Sequence, residues 1–188
     1  MNYLIFDTET TGLPRDWNAP VHKLDNWPRL VQLAWILYDE QGKEQLRYSK
    51  IVKPDGYAIP SSASAIHGIT TEKANREGVP IADLLDEFCK VLNRESPVLV
   101  AHNISFDEKI VGAELLRLKI KSNFFQLPKV CTMRNTIDFC NLPNKKYPKL
   151  EELYYMLFHT KFKEAHHADI DAVACGECFF ELKKKKII

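Results

Sequence analysis

Tyr3-Leu4-Ile5-Phe6-Asp7-Thr8-Glu9-Thr10-Thr11-Gly12-Leu13-Pro14 is the stretch on which the reading of this chain turns. A short apolar run ends in an acid and then meets a Gly/Pro turn, which is the pattern of a buried strand entering a loop. Successive side chains of a strand point to opposite faces, so Asp7 and Glu9, two apart, share one face. A carboxylate pair there is either a solvated strand terminus or one half of a site. The pair alone leaves both open.

Working outward, Leu30 to Asp39 and Gln45 to Lys53 flank Glu40-Gln41-Gly42-Lys43 and read as an antiparallel hairpin beside the first strand. Between strand and hairpin, Arg15 to Arg29 carries Trp17, Trp27, Pro20 and Pro28 and reads as a long loop. Short helices are expected over Ser61 to Gly68 and Thr71 to Arg76, and an amphipathic one over Ile81 to Asn93, with Leu84, Leu85, Phe88, Val91 and Leu92 inward. Pro97 to His102 is a second buried strand feeding a helix from Ile104 to Leu118. A short strand at Val130 to Met133 and helices at Asn135 to Cys140, Lys149 to Phe158 and Ala168 to Lys184 complete the pattern. Strands mixed with helices after an opening hairpin give an α/β fold with a mixed central β-sheet flanked by helices, read as a single domain over 1–188.

Composition narrows the function. The 188 residues are 45% hydrophobic and 27% charged, enough for a core without disulfides or a structural metal. With 26 Lys plus Arg against 25 Asp plus Glu the net charge is +1, which excludes a polybasic protein that coats nucleic acid by charge alone. No apolar run approaches the ~20 residues of a membrane span, and the N-terminus lacks a basic, cleavable leader, so no membrane partner and a cytoplasmic location are expected. Cys89, Cys131, Cys140, Cys175 and Cys178 lie in apolar segments and read as reduced core thiols. Cys175 and Cys178 form a lone C-x-x-C without the second pair of a zinc ribbon. Lys183 to Lys186 reads as a solubilising helix end that complements the helix dipole, with phosphate contact as the alternative.

Two further acids fall on apolar helix faces. Asp107 continues the stripe Ile104, Ile110, Val111, Leu115 and Leu118, and a buried carboxylate there needs a partner, either a backbone donor or a cation. Asp171 continues the stripe Cys175, Cys178, Phe179 and Leu182, whereas Asp169 belongs to a poorer core face and is expected to meet water. His166 precedes Asp171 by five residues, ~140° away on a helix, so the two share a site only if His166 lies in the connection before that helix. A histidine there has the pKa of a general base near neutral pH.

These residues fall into segments that resemble the DEDDh exonucleases of the ribonuclease-H-like fold. The first is Phe6-Asp7-Thr8-Glu9-Thr10-Thr11-Gly12-Leu13, the second His102-Asn103-Ile104-Ser105-Phe106-Asp107 and the third His166-His167-Ala168-Asp169-Ile170-Asp171-Ala172, with Ile66-His67-Gly68-Ile69-Thr70 resembling the family's H-G-I-T stretch. The resemblance covers nearly the whole chain. It implies that Asp7, Glu9 and Asp171 bind two divalent cations, Mg²⁺ or Mn²⁺, that Asp107 acts on the second directly or through water, and that His166 is the base. It further implies that Thr10, Gly12 and Leu13 hold the terminal nucleotide, with His67, Asn103 and Phe106 lining its pocket. The implied activity is two-metal hydrolysis at a free 3′ end, releasing nucleoside 5′-monophosphates, from DNA in preference to RNA. An exoribonuclease on the same fold is the first alternative and a non-catalytic nucleic-acid-binding module the second. The family includes proofreading subunits of replicative polymerases, so a DNA polymerase is a partner to consider, although the chain shows no extension after its last helix that could tether one.

Overall fold

The protein is described by a computed structural model over residues 1–161 and 167–188. Its strands are β1 (Tyr3–Thr10), β2 (Leu30–Tyr38), β3 (Glu44–Ile51), β4 (Val98–Ala101) and β5 (Lys129–Cys131), and they form one sheet in the order β3-β2-β1-β4-β5. β1 pairs antiparallel with β2, and β2 with β3, while β1–β4 and β4–β5 are parallel. Among the described residues the helices are α1 (Ser61–His67), α2 (Thr71–Glu77), α3 (Ile81–Glu95), α4 (Ile104–Arg117), α5 (Ile137–Cys140), α6 (Leu150–Phe158) and α7 (Ala168–Lys184).

The sheet is covered on both faces, which is why β2 reads as the near-continuous apolar run Leu30 to Tyr38 and is buried along its whole length. On one face Leu4, Phe6, Leu33, Trp35 and Leu99 pack against Leu84, Leu85 and Phe88 of α3 and Ile110 and Val111 of α4. On the other, Ile5, Ala34, Ile36 and Val100 pack against Ala168, Ala172, Cys175 and Phe179 of α7. The alternation of β1 therefore sends even-numbered side chains toward α3 and α4 and odd-numbered ones toward α7.

Register decides where the acids emerge. β4 pairs with β1 only over Tyr3↔Val98, Leu4↔Leu99 and Ile5↔Val100, so Asp7 to Thr10 run past the end of β4. They continue to pair with β2, Asp7 opposite Ala34 and Glu9 opposite Gln32, until a bulge between Glu9 and Thr10. The first strand is thus longer than the apolar run Tyr3 to Phe6 suggests, because hydrogen bonding to one neighbour outlasts burial. The crevice beyond the carboxyl ends of parallel strands β1 and β4 is the usual place for a ligand in an open α/β sheet.

Two expectations need correction. Leu118 is 39% exposed and lies one residue past α4, so it leaves the inner stripe that Ile104, Asp107, Ile110, Val111 and Leu115 keep. The strand expected at Val130 to Met133 is Lys129–Cys131: Thr132 N–H still donates to the Ala101 carbonyl at 3.2 Å, but β4 ends there and the chain enters a 3-10 turn at Arg134–Thr136. All five cysteines are free and buried, and Cys175 Sγ lies 3.6 Å from the Thr132 hydroxyl. Lys183 folds back on Tyr3, donating to its hydroxyl at 2.6 Å with the ammonium 4.0 Å from the ring centroid. That places the start of the lysine run at the opposite end of β1 from Glu9. No helix among the described residues is long and apolar enough to cross a membrane.

Candidate active site

Asp7 and Glu9 leave β1 toward α7, and Asp171, in the first turn of α7, meets them there. One carboxylate oxygen of each lies within 4.8 Å of those of the other two, the metal-holding trio found among the described residues. Asp107 is outside that trio. It approaches from the α4 side, the face to which Thr8 points, and one of its oxygens accepts from the Thr8 hydroxyl at 2.7 Å and the Thr8 backbone N–H at 3.2 Å.

Electrostatics make these acids unlike ordinary carboxylates. Burial, followed by Asp107, Asp171 and Glu9, holds Asp7 well above the usual carboxylate range. Burial and the charges of Asp171 and Asp107 push Glu9 to about 8. Asp107 sits at about 7, raised chiefly by burial and held down in part by its bonds from Thr8. Carboxylates gathered this way either keep protons or need cations to offset their repulsion. Their oxygen-only donor set is the kind that hard divalent ions such as Mg²⁺ and Mn²⁺ take. The chemistry of the residues therefore fits the ions expected from sequence.

Asp169 lies on the other side of α7, lining a surface depression with Arg47, Val173 and Glu177. The helical period had separated the two acids in that sense. His166 falls outside the described residues. Its neighbour His167 is the residue before α7, and its backbone carbonyl accepts from Asp171 N–H at 2.9 Å. The Gln32 side-chain oxygen accepts from Ala168 N–H at 3.4 Å while its amide donates to Ser49 at 3.1 Å, tying the first turn of α7 to the sheet beside Glu9.

The remaining predicted residues separate into a groove and its support. Thr10 turns its hydroxyl onto the Gly12 carbonyl at 2.6 Å, and Gly12 takes a φ of +149°, a conformation that strains L side chains. The turn projects Leu13, which is 73% exposed. Asn103 begins α4 in the left-handed region at φ 71°, which asparagine tolerates. Leu13, Asn103 and Asp171 line one groove of about 670 Å³ together with Trp17, His102, Met133 and Tyr147. Phe106 is half-buried, its ring 5.6 Å from that of Trp17. His67 is buried: its Nδ1 accepts from Ile69 N–H at 3.1 Å, and its Nε2 is shut from solvent without a well-formed hydrogen bond. Burial lowers its pKa, with the Thr10 carbonyl opposing.

Sequence reasoning passed over several residues that hold this arrangement. Thr8 was hidden between the two acids, although its place on the opposite strand face marks it as the group that meets α4. His102 lies between Thr132 Oγ1 at 3.0 Å and the Pro148 carbonyl at 2.9 Å, and burial lowers its pKa to about 4. A carbonyl only accepts, so Nε2 carries the proton and Nδ1 accepts from Thr132. Glu114, fully buried, lies seven residues after Asp107 on the same stripe, and the argument that singled out Asp107 applied equally to it. It is paired with Arg29 at 2.8 Å and Arg117 at 2.9 Å.

Residues 4–179 match the RNase T family, described as Exonuclease. The chain belongs to this exonuclease family. It is by membership a 3′-to-5′ exonuclease and an enzyme, and the resemblance read from its motifs holds. DNA polymerase III subunit epsilon of Treponema pallidum is 28% identical over 177 residues, covering 94% of this chain and 74% of that protein. DNA polymerase III PolC-type of Streptococcus sanguinis is 28% identical over 182 residues, 95% of this chain but 11% of that much longer protein. The structure of Escherichia coli exonuclease I in complex with a dT13 oligonucleotide superposes with a TM-score of 0.79 at 19% identity, over 98% of this chain and 41% of that one. At that identity the likeness shows the fold, which is the ribonuclease-H-like one of exonuclease I.

Proposed function

We propose that residues 1–188 form one exonuclease domain that removes nucleoside 5′-monophosphates from the 3′ end of DNA by two-metal-ion hydrolysis. The observation that carries this reading is the convergence of Asp7, Glu9 and Asp171 within 4.8 Å in a chain of the exonuclease family. In this reading Asp7, Glu9 and Asp171 hold the ions, and Asp107, oriented by Thr8, contributes directly or through water. When bound, two divalent ions activate water, stabilise the leaving 3′ oxygen and neutralise the scissile phosphate. His166 takes the proton from the attacking water, a role that suits a histidine near neutral pH. Thr10, Gly12 and Leu13 cradle the terminal nucleotide, and His67, Asn103 and Phe106 line its pocket.

The relatives named as DNA polymerase III proteins favour DNA over RNA and make a DNA polymerase the protein partner to test. A cytoplasmic setting suits the five free, buried thiols. A non-catalytic binding module is disfavoured because each acid of the motif is present.

The test is digestion of single-stranded, blunt and 3′-recessed DNA beside matched RNA, in Mg²⁺ or Mn²⁺ and in excess EDTA. Stepwise release of 5′-monophosphates from DNA, abolished by EDTA, is expected. Undiminished digestion in EDTA contradicts the metal mechanism, and faster digestion of RNA replaces the DNA reading with the exoribonuclease one.

A further inference from the structure

Trp17 stands on the long segment between β1 and β2, and that segment is fastened down rather than loose. Its ends are joined by Thr11 N–H to the Arg29 carbonyl and Arg29 N–H to the Thr11 hydroxyl, each 2.9 Å. Inside it, Asn26 accepts from Asp16 N–H at 2.8 Å and donates to the Asp16 carbonyl at 2.9 Å. From α4, Arg117 donates to the carbonyls of Leu24 and Trp27 at 2.6 and 2.8 Å, and Lys109 donates to the Trp17 carbonyl itself at 2.9 Å. The backbone of Trp17 is therefore pinned. Trp17 is nonetheless 49% exposed, whereas the other two tryptophans, Trp27 and Trp35, are 3% and 1% exposed.

A rigidly held tryptophan that forgoes burial beside a reactive centre presents aromatic surface for something else to cover. Part of the ring leans on Phe106 at 5.6 Å and 43°. The ring also lines the groove that contains Leu13, Asn103 and Asp171, so Trp17 and one of the carboxylates border the same cleft. Every nucleobase has a π-face, and an unpaired base offers it freely, whereas a base inside a duplex has both faces already stacked. A loop held in place in advance loses little entropy on binding.

We propose that Trp17 is a base-stacking residue that takes one nucleobase of a single-stranded 3′ end onto its exposed face. The occupant's identity rests on the nuclease reading above, so the test separates binding from hydrolysis. With Trp27 and Trp35 buried, Trp17 dominates the fluorescence that a ligand in the groove can quench. The probe is a fluorescein-labelled single-stranded DNA oligonucleotide with Ca²⁺ as the only divalent ion, binding being read by anisotropy and intrinsic tryptophan emission by an unlabelled copy.

The expected result is quenching of wild-type emission on binding, absent in Trp17→Phe. Trp17→Ala should weaken binding roughly 5- to 150-fold, the range of a base–aromatic stack, with Trp17→Phe recovering most of it. One abasic nucleotide, scanned along the three 3′-terminal positions, should abolish both the quench and the Trp17→Ala penalty at one position. If Trp17→Ala fails to fold, wild type and Trp17→Phe against the abasic series decide alone. Binding without quenching, or a Trp17→Ala penalty equal at every abasic position, overturns the proposal, since a residue that only shapes the loop gives that result. Hydrolysis with unquenched binding refutes stacking alone. Absence of both binding and hydrolysis refutes the nuclease reading with it.

Discussion

One oxygen of Asp107 accepts two hydrogen bonds from Thr8, from the hydroxyl at 2.7 Å and the backbone N–H at 3.2 Å. The residue between the two strand acids thus holds the helix acid, which couples all three to one segment of backbone. Each bond favours the ionised form of a carboxylate that burial would otherwise keep protonated.

Thr8→Val removes the hydroxyl and keeps the shape. In the metal-free chain Asp107, at about 7, should titrate higher, so Mn²⁺ affinity at pH 7 should fall as cations compete with the extra proton, and should recover as pH rises. Thr8→Ser should restore wild-type affinity. An Mn²⁺ titration of Thr8→Val that overlays wild type at pH 6 and pH 8 would show that the bond does not tune Asp107.

Asp7, Glu9 and Asp107 all have raised pKa values, with Glu9 at about 8 and Asp107 at about 7. Between their unfolded values near 4 and these, the folded metal-free chain binds more protons than the unfolded chain, so its stability falls as pH rises across that window. Cations that replace those protons should raise Tm, and by more at pH 8 than at pH 5.5, with protons released on binding. Thermal melts with and without Mn²⁺ at both pH values check this. A gain independent of pH would mean that the ions bind elsewhere.

Glu114 pairs with Arg29 and Arg117 and also accepts from Leu30 N–H at 3.1 Å. Glu114→Ala leaves two guanidinium groups without their carboxylate and unfastens the end of the Trp17 segment from α4. A cost of about 3–5 kcal/mol is expected by urea unfolding. A change below about 0.5 kcal/mol, the range of an ordinary surface substitution, would show that the pair contributes no net stability.

His166→Ala should lower kcat by ~10² to 10⁴-fold, the usual range for a general base, and remove the acid limb of the pH–rate profile while Mn²⁺ binding persists. His167→Ala should keep both rate and limb. Wild-type turnover in His166→Ala would withdraw the assignment.

Much of this site is readable from spacing alone, and the reason is periodic. A strand repeats every two residues and a helix every 3.6, so the faces carrying Asp7 with Glu9, Asp107 and Asp171 can be computed without coordinates. What spacing does not carry is which elements meet. Thr8 became visible as a partner only once β1 was known to outrun β4 and face α4. Trp17 lay in a segment without period, whose order comes from side chains such as Asn26, Arg117 and Lys109 bonding to its backbone. Glu114 was legible in principle, since it repeats the stripe of Asp107 at i+7. His102 depends on Pro148, 46 residues away, and no local pattern announces that contact.

The account turns on which acid of α7 joins the strand pair, because Asp171 lies with Asp7 and Glu9 while Asp169 lies toward Arg47. The most direct measurement is kcat for release of 5′-monophosphates from single-stranded DNA in Mn²⁺, for Asp171→Asn and Asp169→Asn beside wild type. The account predicts a loss of at least about 10²- to 10³-fold for Asp171→Asn, the size expected when a group that stabilises the transition state is removed, and a change of less than about 3-fold for Asp169→Asn, as for an ordinary surface residue. Equal rates for Asp171→Asn and wild type, or the greater loss in Asp169→Asn, would contradict it.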